Sequence, residues 1–101
     1  MAYNLDDVKA SLSSGSIILL DVRELDEWNA GHVKGARLVP LSDLSSGKIP
    51  GDLPKTASLY TYCRAGRRSV MGADILKAQG FNVSPLFEGF EELASKGFPR
   101  E

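Results

Sequence analysis

The chain has 101 residues, a formal charge of −1, 43% apolar residues and 25% charged residues. These values fit one globular domain over residues 1–101 with enough surface to bury a single core. They leave no basic face for nucleic acid, no run long enough to span a membrane, and too few cysteines and histidines (one of each) for an internal disulfide or a metal cluster.

From residue 4 or 5 to 12 the pattern is that of a short amphipathic helix, with Asp6 and Asp7 in its first turn where the dipole favours them. Ser13-Ser14-Gly15 ends it. Residues 17–22 form a near-continuous apolar strand, which implies burial on both faces. Residues 24–30 read as a short helix closed by Gly31, residues 37–39 as a short strand, and residues 42–46 as a helical turn before the 47–54 loop. The aromatic and β-branched run 58–62 is a buried strand. Residues 68–79 carry a broad apolar face and end at Gly80, so they read as a helix. Residues 83–87 are the last strand, placed at an edge by Pro85. A short helix follows Gly89. Strands alternating with helices predict an α/β fold with a parallel, doubly wound sheet. The N-terminus lacks the basic and apolar regions of a signal peptide, so a cytoplasmic location is expected, or a periplasmic one if an export signal has been removed.

Between the 58–62 strand and the following helix lies Cys63-Arg64-Ala65-Gly66-Arg67-Arg68-Ser69. It holds the one cysteine and three arginines in a chain of nearly zero net charge. A thiol beside cations at a helix start is where a thiolate is stabilised. Turns of this kind sit at the carboxyl ends of parallel strands, where ligands bind and backbone N–H groups form anion nests. A free thiol has a pKa near ~8.5; lowering it by about two units needs roughly 2.7 kcal/mol, which a helix N-terminus and a neighbouring arginine can supply. The bland alternative for Cys63 is a buried small hydrophobe.

This loop, together with Asp21-Val22-Arg23-Glu24, Glu27-Trp28, Gly31-His32-Val33-Lys34-Gly35-Ala36, Pro40 and the closing stretch Glu88-Gly89-Phe90 through Gly97-Phe98-Pro99, strongly resembles the rhodanese homology domain. Two positions depart from the family pattern: Glu88 replaces a glycine and Leu93 a tryptophan. The resemblance implies a sheet of about five mainly parallel strands. It also implies sulfur transfer through a Cys63 persulfide, from a small anionic donor such as thiosulfate to cyanide, a small thiol or a protein acceptor. No cofactor or metal is needed for that chemistry. The alternatives are a carrier fed by a partner enzyme and a protein-binding regulatory module. Cysteine-dependent phosphatases resemble C-x5-R; here Arg68 follows Cys63 in C-x4-R spacing, a ring with room for sulfur but little for phosphate.

Within the loop, the inward N–H groups from Arg64 to Arg68, Ala65 included, are expected to hold the outer sulfur, with Gly66 making the tight turn. Arg64 and Arg67 are expected to face outward around an open loop and draw in the donor. Arg68 is read as a ligand of the donor's sulfonate or as a brace against Asp21 or Glu88. Ser69 caps or packs the helix start. Asp21 and Arg23 read as an ion network that fixes the turns, His32 as a structural histidine, and Trp28 as core.

Overall fold

The computed structural model describes residues 3–101. Met1 and Ala2, which are part of the stretch read as lacking a signal peptide, lie outside the described residues. Nine elements follow in order: α1 Leu5–Ser14, β1 Ile18–Asp21, α2 Leu25–Ala30, β2 Arg37–Leu38, α3 Leu41–Ser45, β3 Ser58–Tyr62, α4 Arg67–Ala78, β4 Asn82–Pro85 and α5 Phe90–Ser95. All four strands are parallel, in the order β2-β1-β3-β4. Pro85 ends the edge strand β4, so its missing N–H interrupts no central ladder. No helix among the described residues is long and apolar enough to cross a membrane.

Side chains on β1 and β3 alternate between two cores. Leu20, Val22 and Leu59 pack with Leu44 of α3 and Ala73 and Leu76 of α4. Leu19 and Tyr62 pack on the other face with Val8 of α1 and Phe90 and Leu93 of α5. Both faces are therefore covered, as the unbroken apolar run in β1 implies. Asn4 caps α1 by accepting from the N–H groups of Asp6 and Asp7, and the helix runs to Ser14 because Gly15 supplies the left-handed turn.

Four strands form where about five were expected. The remaining extended pairing is an isolated antiparallel bridge between Val33 and Arg100. It stays short because the chain turns immediately after Val33, closed by Ala36 N–H on the Val33 carbonyl. Trp28 also departs from expectation. It is half-buried and lies flat on His32 with ring centroids 3.5 Å apart. His32 Nδ1 bonds the Trp28 carbonyl at 2.9 Å, so His32 is structural, as expected.

β1 and β3 lie side by side, and the chain leaves them toward opposite edges of the sheet. A crevice forms at such a switch point. It is closed underneath by a buried network. Asp21 is fully buried and takes the Arg23 guanidinium at 2.7 Å. Tyr62 donates its hydroxyl to Asp21 at 2.7 Å and accepts Val33 N–H at 3.0 Å. Arg23 also donates to the Gly31 carbonyl at 2.7 Å and lies over Phe90. Burial, then the Asp21 carboxylate, pushes the Tyr62 phenol well above its ordinary pKa. One network thus ties β1, β3 and the 31–33 turn together.

Removing the Tyr62 hydroxyl leaves a buried N–H and one carboxylate oxygen short of a partner. Tyr62→Phe should cost about 1–3 kcal/mol, measured as a shift of the urea midpoint at constant slope. An unchanged midpoint would show that the network contributes nothing net.

Candidate active site

Cys63 follows the last residue of β3, and Gly66 stands at the N-cap of α4 in the left-handed conformation, with φ 89°. The four residues between strand and helix curl back so that Gly66 N–H points at Cys63 Sγ from 3.1 Å. Burial alone would raise the thiol pKa. The N–H groups of Ser69, Ala65 and Gly66 and the Ser69 hydroxyl outweigh it, and the pKa lies below the ordinary thiol value. All the leading favourable contacts are hydrogen bonds. These donors serve Sγ itself: Ala65 and Gly66 lie within the loop and Ser69 in the first turn of α4.

A second layer of backbone backs the loop. Phe90 N–H donates to the Cys63 carbonyl at 2.9 Å. A Cβ on Gly66 would come within 2.6 Å of the Phe87 carbonyl oxygen, and one on Gly89 within 1.7 Å of the Arg64 carbonyl oxygen. No side chain fits at either position. Fully buried Ser69 has its Oγ 2.9 Å from the Gly66 carbonyl and 2.8 Å from the Leu86 carbonyl, so its one proton ties the start of α4 either to the loop or to the residue after β4.

Packing this tight leaves Cys63 only 1% exposed, so the loop is closed around the sulfur rather than open. Arg64 and Arg67 are exposed, as expected, and among the described residues neither forms a salt bridge. Arg68 braces the loop, but against neither Asp21 nor Glu88. It makes a bidentate pair with Glu27 of α2 at 2.6 and 2.9 Å. Asp21 is occupied by Arg23 and Tyr62, and Glu88 takes the Tyr3 hydroxyl. Asp21 and Arg23 reach the site through Tyr62, the residue before Cys63.

Two residues important to this geometry lacked a role in the sequence reading. Glu27 sits in the quoted motifs, but 41 residues separate it from Arg68. Gly89 was visible as a motif glycine; the close approach that demands it was not.

The Arg68 pair, then burial working against it, leaves the Glu27 carboxyl at about 2 rather than the usual 4.5. A carboxyl with a lowered folded-state pKa stabilises the fold above its unfolded pKa and loses that contribution as pH falls through its folded value. The stability difference between wild type and Glu27→Gln should be constant above about pH 5 and shrink toward about pH 2, measured by urea unfolding. A difference independent of pH would contradict the ionic role.

The rhodanese-like domain model matches residues 4–96. The chain is 38% identical over 77 residues to YrkF of Bacillus subtilis, named as a sulfur carrier protein; the match covers 72% of this chain and 40% of that protein. It is 28% identical over 75 residues to the thiosulfate sulfurtransferase PspE of Escherichia coli, covering 74% and 72%. The Alr3790 protein of Anabaena superimposes with a TM-score of 0.85 at 28% identity, covering 98% of this chain and 79% of that one. The chain spans less than two thirds of the length of several curated relatives it matches. On its family match and its strand–cysteine loop–helix architecture, the chain belongs to the rhodanese-like domain family.

Proposed function

We propose that this chain is a sulfurtransferase that carries sulfane sulfur on Cys63. The observation behind the reading is Gly66 N–H aimed at the Cys63 sulfur from 3.1 Å, in the turn between the carboxyl end of β3 and the start of α4. In the first half-reaction the Cys63 thiolate attacks the outer sulfur of an anionic donor such as thiosulfate. A new S–S bond forms, the S–S bond within thiosulfate breaks, and sulfite leaves with the electron pair. In the second half-reaction a thiolate or cyanide attacks the outer sulfur, and Cys63 departs as thiolate. This is double displacement by a covalent nucleophile.

The donors around Cys63 favour negative charge on Sγ, the form it takes before attack on the donor and after release of the sulfur, as an oxyanion hole does for oxygen. Arg64 and Arg67 supply the unpaired positive charge that attracts the donor. Arg68, already neutralised by Glu27, holds the loop more than it recruits anions. None of these steps calls for a cofactor or metal.

A carrier fed by a partner enzyme is the second reading, favoured by the similarity to YrkF, named as a sulfur carrier protein. A purely regulatory module has less support, because it needs neither the thiol nor the nest.

Intact mass after incubation with thiosulfate tests the reading. Wild type should gain one sulfur atom and lose it to cyanide, and Cys63→Ser should gain none. No gain with thiosulfate but a gain from a protein persulfide would favour the carrier. No gain from either would remove sulfur transfer.

A further inference from the structure

Beside Arg64 of the cysteine loop, a cleft of about 300 Å³ opens between α2, that loop and α5. That volume lies at the small end of the range used by ligand sites. Ala30 gives it an exposed apolar surface, Phe90 lies beneath it at 5% exposure, and Arg64 brings it to the edge of the Cys63 loop.

The charges lining the cleft differ in how firmly they are held. Arg23 is buried and bonded to Asp21 and the Gly31 carbonyl. Glu27 is bonded to Arg68. Among the described residues Arg100 has one acidic partner, Glu91 at 3.0 Å, in an exposed pair of the kind worth about 0–1 kcal/mol. Arg64 has no acidic partner among the described residues. An incoming anion therefore meets one uncompensated guanidinium and a second that is easily recruited.

Arg100 is not loose, however. His32 and Glu101 exchange backbone hydrogen bonds on one side of it, and Lys34 N–H donates to the Pro99 carbonyl on the other. Its guanidinium lies 4.7 Å from the Phe90 ring centroid. A Cβ on Gly31 would come within 3.4 Å of that guanidinium. The backbone that fails to become a fifth strand instead holds a cation over the cleft.

We propose that this cleft is the acceptor subsite and takes a small thiol bearing a carboxylate. The carboxylate lies against Arg64 and Arg100, the carbon body against Ala30, and the sulfur faces the Cys63 loop. The assignment rests on the persulfide reading above. The acceptor thiolate attacks the outer sulfur of the Cys63 persulfide and forms a new S–S bond. The bond from that sulfur to Cys63 breaks, and its electron pair returns to Cys63 Sγ.

Binding can be read without turnover. Titrating 3-(methylthio)propanoate, which cannot accept sulfur, should shift the amide resonances of Gly31 and Phe90 in wild type, and the shifts should vanish in Arg100→Gln. In turnover, the ratio of KM for 3-mercaptopropionate to KM for 2-mercaptoethanol should rise about threefold to fivefold in Arg100→Gln, the size of an exposed charge contact. It should fall in Glu91→Gln, which frees Arg100. Absence of shifts, shifts that survive Arg100→Gln, or a KM ratio that moves in the same direction in both variants would overturn the subsite. Should Cys63 take up no sulfur at all, the persulfide reading fails on its own account, and the titration still decides whether the cleft binds carboxylates.

Discussion

The Cys63 loop keeps its curvature because another stretch of backbone lies directly against it. Phe90 N–H holds the Cys63 carbonyl, and residues 87–89 run so close to the loop that Gly66 and Gly89 have no room for a Cβ. A loop free on both sides would relax and turn its N–H groups to water. Clamped between α4 and the 87–90 segment, it keeps them aimed at sulfur. This constraint sets the burial of Cys63, the placement of Ser69 and the position of the cleft lined by Phe90 and Arg64. The Asp21–Arg23–Tyr62 network holds the strand end from which the loop departs.

Electrostatics at the site breaks a local rule. Arg67 and Arg68 occupy the first turn of α4, where the helix dipole favours anions. Such conflicts concentrate at functional sites. Glu27 offsets Arg68, and a thiolate at Cys63 favours the protonated form of the same guanidinium. Arg67 points to solvent, where its charge costs little. The division of labour follows: short-range N–H donors act on the sulfur, while the exposed arginines act at longer range and are screened by salt.

Much of this was legible in sequence because it depends on local pattern. The strand Ser58–Tyr62 has the bounds its aromatic, β-branched run implies, and Pro85 placed β4 at an edge. The cysteine loop and its outward-facing Arg64 and Arg67 were readable from residue type and order. What escaped depends on contacts between distant residues. Residue type and order leave Arg68 either on the donor's sulfonate or as a brace against carboxylates such as Asp21 or Glu88, but those two already have partners and the brace is Glu27. Trp28 carries the signature of a core residue, yet one turn of α2 sets it flat on His32. The loop was read as open because arginines dominate it; its burial comes from two glycines whose neighbours lie far away in sequence.

The central claim is that backbone N–H groups, rather than arginine charge, lower the pKa of the Cys63 thiol. Titrating the ultraviolet absorbance of the thiolate in wild type and in the Arg64→Gln/Arg67→Gln double variant tests it directly. The account predicts that both titrate below the ordinary thiol value of ~8.5, with midpoints that nearly coincide. A wild type that titrates like free cysteine, or a double variant whose midpoint returns to that value, would contradict it.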